Sequence, residues 1–181
     1  MKNAIVTGGT KGIGLATARM LLKEGYHVTV TYSGDSEAAL RCRNELKDIS
    51  SHSEIIKCDQ SNKEDMRRLV ELMKNKGNVD CIVCNAGVSL RRQFTEITDE
   101  EWERAMHINV NSNVFLIRDL YERFVACNHG IFTFYHGISV LFISHTFHDH
   151  LRLYAVWHFH YNRLAVDHVV FRTVVYTSAI A

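Results

Sequence analysis

Thr7-Gly8-Gly9-Thr10-Lys11-Gly12-Ile13-Gly14 is the stretch whose residue types and spacing are best suited to chemistry. Gly8 lets the chain turn sharply, Gly12 lets the backbone approach a diphosphate closely, and Gly14 lets a following helix pack tightly. A helix beginning here offers free N–H groups and the positive end of its dipole to phosphates. The flanks supply the required context. Lys2 to Val6 reads as a short apolar strand, and Leu15 to Leu22 carries apolar residues at helical spacing. The alternative is a glycine-rich turn that holds no ligand.

Other chemistry-bearing residues are weaker candidates. Cys81 and Cys84 have the C-x-x-C spacing of redox and zinc sites. They fall on one apolar strand, where residues three apart face opposite sides. No second pair follows at metal spacing, so no metal site is assigned. His145, His148 and His150, or His158 and His160, could bind zinc or nickel, but no acid or cysteine completes a set.

The elements that must position the glycine loop can be taken in order. His27–Tyr32 reads as a second strand, and residues 36–49 as an amphipathic helix. Glu54–Cys58 is a third strand, closed by Asp59. Ser61 and Glu64 read as a capping box opening the next helix, whose buried stripe is Met66, Leu69, Val70 and Met73. Val79–Cys84 is a fourth strand, followed by Asn85-Ala86-Gly87. Thr98 and Glu101 form another capping box. From there Trp102, Met106, Val110, Val114, Ile117, Leu120 and Tyr121 keep a helical stripe, so one long helix is expected to about Phe124. Strands alternating with helices give a doubly wound α/β fold with a parallel sheet, here read as a single domain over residues 1–181.

The T-G-x-x-x-G-x-G spacing, the Asn85-Ala86-Gly87 triplet after a buried strand and Asn109 in the long helix resemble the short-chain dehydrogenase/reductase family. The resemblance covers about residues 1–124. Its wording is most similar to the 3-oxoacyl-(acyl carrier protein) reductase branch. It implies a Rossmann-like fold and hydride transfer between a nicotinamide dinucleotide and a small carbonyl or alcohol substrate. It also implies a homo-dimer or homo-tetramer. Thr7, Gly8, Thr10, Lys11, Gly12, Ile13 and Gly14 would then hold the cofactor, with Ser33 at the end of the second strand. Asp59 would bind the adenine amino group and the Gln60 N–H would read the ring. Asn85, Ala86 and Gly87 would line the site, and Asn109 would help position an active-site lysine through a water.

Charge separates the two cofactors. An acid at the tip of the second strand would bind ribose hydroxyls and repel a 2′-phosphate. The tip here is Thr31-Tyr32-Ser33-Gly34, with Asp35 slightly beyond, and Lys11 sits where a cation can reach that phosphate. NADP(H) is favoured over NAD(H). The alternative is a solvated Lys11 with Asp35 turned back to the ribose.

The pattern breaks after residue 124. The family needs a catalytic Ser on a fifth strand and a Tyr-x-x-x-Lys on the next helix. Residues 130–135 or 139–144 could supply the strand, and Ser139 is the better-spaced serine. Tyr154-Ala155-Val156 resembles the start of the catalytic helix, but four residues after Tyr154 stands His158, and no lysine follows Lys76. After Ala126 the only acids are Asp149 and Asp167, and eight of the eleven histidines appear there. Three readings stay open. His158 replaces the lysine in an active reductase; the chain is an impaired dinucleotide binder; or the tail departs from the parent sequence, as after a shifted reading frame. The family's closing strands and substrate loop are expected to lie beyond residue 181.

Composition bounds the rest. A net charge of +1 and 23% charged residues carry no bias toward nucleic acid. No apolar run is long enough to span a membrane. Five irregularly spaced cysteines suit a reducing compartment, with the cytoplasm as the expectation.

Overall fold

A computed structural model describes residues 1–90, 93–126, 131–134, 140–144 and 152–156. Its centre is a seven-stranded sheet of order β3-β2-β1-β4-β5-β6-β7. The strands are β1 (Lys2–Val6), β2 (Tyr26–Tyr32), β3 (Ser53–Lys57), β4 (Cys81–Cys84), β5 (Ile131–Phe134), β6 (Val140–Ser144) and β7 (Arg152–Val156). β1 to β5 pair in parallel, as the sequence leads one to expect. The helices are α1 (Gly12–Lys23), α2 (Ser36–Ile49), α3 (Lys63–Asn75), α4 (Asp99–Met106) and α5 (Ser112–Val125).

Alternation along the strands splits the core into two layers. Ile5, Ile82 and Cys84 pack with Leu69 and Met73 of α3 and Leu116, Leu120 and Phe124 of α5. Ala4, Val6, Cys81 and Val83 pack with Ala18 and Leu22 of α1 and Cys42 and Leu46 of α2. The period of two therefore sends each strand's neighbours to opposite helical layers. β1 runs on to β2 and β3 on one side, while β4 adds on the other. The strand order reverses between β1 and β4, and a crevice opens at their carboxyl ends.

Three elements differ from the sequence reading. α3 is capped by Asn62, whose side chain accepts from the Glu64 and Asp65 N–H groups, not by Ser61. The Ser61 N–H and hydroxyl are both turned onto Asp59 Oδ1, at 2.8 and 2.7 Å, which withdraws Ser61 from capping. The Thr98–Glu101 capping box forms as expected. The long helix is interrupted by a π turn at His107–Asn111. Its core-facing residues are Ala105, Ile108, Leu116, Leu120 and Phe124, while Trp102, Met106, Val110, Val114 and Tyr121 of the expected stripe lie exposed. Beyond β5 the sheet turns antiparallel, with β6 against β5 and β7 against β6. Tyr154 accordingly lies on β7, registered with Phe142, and not at the start of a helix. Val140–Ser144 and Arg152–Val156 are rich in the β-branched and aromatic residues that suit paired strands.

Candidate functional site

The glycine loop leaves β1 and is tied to the turn after β4 by complementary bonds. The buried Thr7 hydroxyl oxygen accepts the N–H groups of Asn85 and Ala86, both at 3.0 Å. The Asn85 side-chain amide donates to the Thr7 and Gly8 carbonyls, both at 2.9 Å. β2 adds a third tie: Gly8 N–H donates to Thr31 Oγ1 at 3.2 Å, and Gly9 N–H to the Thr31 carbonyl at 3.1 Å. Backbone that would otherwise be unpaired in a buried turn is thus satisfied.

The glycines fill distinct needs. Gly8 has φ of +62°, and a Cβ there would stand 2.8 Å from Ala86 Cα. Gly12 also has positive φ, at +57°, but a Cβ there would meet nothing within 4 Å. It opens α1 toward free space, as a diphosphate-facing position should. At Gly14 a Cβ would come 2.5 Å from Asn85 Nδ2 and 2.9 Å from the Gly8 carbonyl oxygen. The close packing expected of Gly14 is therefore against the turn and Asn85. Gly9, which the sequence reading did not single out, is also tightly enclosed: its Cβ would lie 2.9 Å from Val30 Cγ1.

The mouth of α1 is left open. Lys11 is its N-cap residue, no side chain caps it, and no acid stands in its first turn. The free N–H groups and the positive dipole end face the groove unopposed. Exposed Lys11 reaches Asp35, with Nζ 3.6 Å from Oδ2. Asp35 is held by α2, where it accepts the Ala38 N–H at 2.9 Å. That bond, and secondarily Lys11, lowers the Asp35 carboxyl below its ordinary range.

The groove has a volume of about 330 Å³ and runs over the carboxyl ends of β1, β2 and β4. Thr7, Gly12, Ile13 and Gly14 lie outside its lining, while Gly8, Thr10, Lys11, Ser33, Asp59, Gln60 and Asn85-Ala86-Gly87, which the sequence reading assigns to a cofactor, line it together with Asp35. Thr31 and Tyr32 of the strand tip also line it, as do Val88, Arg104 and Ile108, which that reading does not name. Arg104 and Ile108 are four residues apart and share a face, but neither stands at helical spacing from Asn109, so nothing local marks them as lining the groove. Asp59 also accepts the Ser61 N–H and hydroxyl through Oδ1, so the acid that closes β3 caps the turn that follows it.

Asn109 is clamped to the loop after β4. Its Oδ1 accepts the Val88 N–H and its Nδ2 donates to the Val88 carbonyl, both at 2.8 Å. Ser139 and His158 lie outside the described residues, and Tyr154 is placed on β7 by its backbone. Cys81 and Cys84 pack in opposite layers, as their spacing predicts. Burial pushes the Cys81 thiol up to about 12 and raises Cys84 further, which removes thiolate chemistry at neutral pH. Among the described residues, no group of three metal-ligating side chains comes together.

This geometry agrees with what comparison finds. The family model for short chain dehydrogenases matches residues 2–132. The chain belongs to the short chain dehydrogenase family. It is 33% identical over 118 residues to the short-chain dehydrogenase/reductase FrzI of Cladobotryum, covering 65% of this chain and 46% of that protein. It is 30% identical over 129 residues to the 3-oxoacyl-[acyl-carrier-protein] reductase FabG of Rickettsia conorii, covering 71% and 51%. Among solved structures, the Pseudomonas aeruginosa RhlG/NADP complex superposes with a TM-score of 0.61 at 28% identity, over 68% of this chain and 48% of that one. An F189W actinorhodin polyketide ketoreductase with NADPH gives a TM-score of 0.66 at 28% identity, over 72% and 51%. The chain spans about half the length of the curated relatives it matches. The fold is the family's Rossmann-like α/β fold.

Proposed function

We propose that this chain is the cofactor-binding part of an NADP(H)-dependent oxidoreductase acting on a small carbonyl or alcohol, with NAD(H) the weaker ligand. One observation carries the reading. The uncapped mouth of α1 opens beside a glycine-loop cradle with nothing within 4 Å of a Cβ built at Gly12, while Cβ atoms at Gly8 and Gly14 would run into Ala86 and Asn85 and break the turn that shapes it. Such a cradle fits a diphosphate, with Thr10, Gly12, Ile13 and Gly14 around it. Lys11 and Ser33 favour an extra 2′-phosphate, against the Asp35 carboxylate that also lines the groove, and the NADP and NADPH complexes among the structural relatives point the same way. Asp59 and Gln60 would take the adenine and Asn85, Ala86 and Gly87 the ribose end, while Asn109, held on Val88, would serve the catalytic side. When bound, the nicotinamide would supply or accept the hydride.

In this reading Tyr154 gives the proton to the substrate oxygen, Ser139 holds that oxygen, and His158 stands in the lysine's place. A neutral imidazole lowers a phenol's pKa less than an ammonium does, so turnover is slow. The missing Tyr-x-x-x-Lys favours a second reading, a dinucleotide binder without turnover. Carbonyl-dependent oxidation of NADPH over a panel of ketones separates the two. Slow turnover that falls at least about tenfold in Tyr154→Phe supports the first reading, in line with the usual weight of a general acid. Binding with no turnover supports the second, and unchanged turnover in Tyr154→Phe removes that tyrosine from the chemistry.

The exposed apolar face of α4 and α5 suits a homo-dimer or homo-tetramer. The four described cysteines are free and buried, and no helix among the described residues is long and apolar enough to cross a membrane. We place the protein in the reducing cytoplasm on that basis.

A further inference from the structure

The π turn that presents Asn109 is held by a side chain from the other end of the groove. Gln60 follows Asp59 at the end of β3, and its side chain is buried, with the residue only 4% exposed. Its Nε2 donates to Ser112 Oγ at 3.0 Å and to Asn113 Oδ1 at 2.9 Å, which uses both amide hydrogens. Ser112 passes its own hydrogen to the Ile108 carbonyl at 2.8 Å. Asn113 Nδ2 donates to the Asn109 carbonyl at 2.9 Å. Asn109 in turn grips both backbone groups of Val88. The bonds run without a gap from the strand end that lines one side of the groove to the loop after β4.

A π turn inserted between two α-helices needs a reason to persist, because its widened ring is the less favoured geometry. Here the two residues that close it, Ser112 and Asn113, are both anchored by Gln60. Relaxation toward α-helical register would carry Asn109 round the helix axis and off Val88. We propose that Gln60 is a positioning residue that locks the π turn and so holds Asn109 and Val88 in place at the reacting end of the site. The claim rests on the cofactor reading above for its place in the reaction, but the mechanical link can be tested without any ligand.

The test is backbone amide exchange by NMR on the full chain, reading Val88, with Val28 and Val30 of β2 as controls. Gln60→Leu removes the donor at similar size, and Gln60→Glu keeps the shape should the first variant fail to fold. The expected result is Val88 exchange at least about tenfold faster in either variant, with the β2 amides unchanged. In an Asn109→Ala background the Gln60 substitution should add nothing further, a coupling that general destabilisation would not produce. Unchanged Val88 exchange, or equal acceleration at Val28 and Val30, overturns the proposal. NADPH titration of the unsubstituted protein is scored separately. Coupled Val88 exchange without NADPH binding keeps the link and sinks the cofactor reading, while binding with an indifferent Val88 does the reverse.

Discussion

Lys11 and Asp35 set the charge at the rim where the two cofactors differ. Their 3.6 Å separation leaves the lysine partly neutralised by an acid that α2 holds in place. A 2′-phosphate arriving there competes with Asp35 for Lys11. Unit charges about 4 Å apart in water interact by about 1 kcal/mol, so the expected effects are several-fold rather than hundredfold. Lys11→Ala should weaken NADPH binding about fivefold and leave NADH nearly unchanged, while Asp35→Asn should strengthen NADPH. Both effects should shrink as salt is raised, because both side chains are exposed. Parallel titrations of the two nucleotides at low and high salt check this. Equal changes for both nucleotides would remove Lys11 from cofactor choice. Lys11 was legible from its position in the glycine loop, but its pairing with Asp35 depends on how α2 starts and needed the structure.

At the scale of the element, Gly14 is where helix, turn and Asn85 meet. A methyl group there would sit 2.5 Å from Asn85 Nδ2, so the amide must leave the Thr7 and Gly8 carbonyls. Gly14→Ala should cost about 1–3 kcal/mol, the usual penalty for stranding buried polar groups, and should abolish nucleotide binding. Thermal melting and titration of the same sample test both parts, and a variant that melts and binds like the parent would contradict the packing described. The strand–turn–helix unit was legible because glycine spacing and strand pattern are local. The Thr98–Glu101 cap was legible for the same reason. The expected Ser61 cap does not form because Asp59 takes both Ser61 donors. The π turn left no local signature, since its hold comes from Gln60 and Val88, distant in sequence.

Taken whole, the molecule has two kinds of apolar surface on α4 and α5. One face packs on the sheet, and the other leaves Trp102 and Val114 about half exposed, together with Met106, Val110 and Tyr121. The sequence pattern put all five on one stripe with Ile117 and Leu120, because apolar spacing does not distinguish burial in a sheet from burial against another subunit. Val114→Lys should therefore shift the protein toward monomer with little loss of folding, as read by light scattering on a sizing column. An unsubstituted protein that is already monomeric would exclude that use of the face. The parallel half of the sheet was legible from alternating strands and helices. The antiparallel β6 and β7 were not, because the family pattern had ended and only β-propensity remained to place them.

The central claim is that the groove binds a nicotinamide dinucleotide and prefers the 2′-phosphorylated form. Titration of the purified chain with NADPH and with NADH, following intrinsic fluorescence and melting temperature, tests it most directly. Saturable binding of both, tighter for NADPH and accompanied by a rise in melting temperature, is the predicted result. Binding of neither nucleotide to folded protein would contradict the cofactor assignment, and tighter binding of NADH would contradict the role given to Lys11.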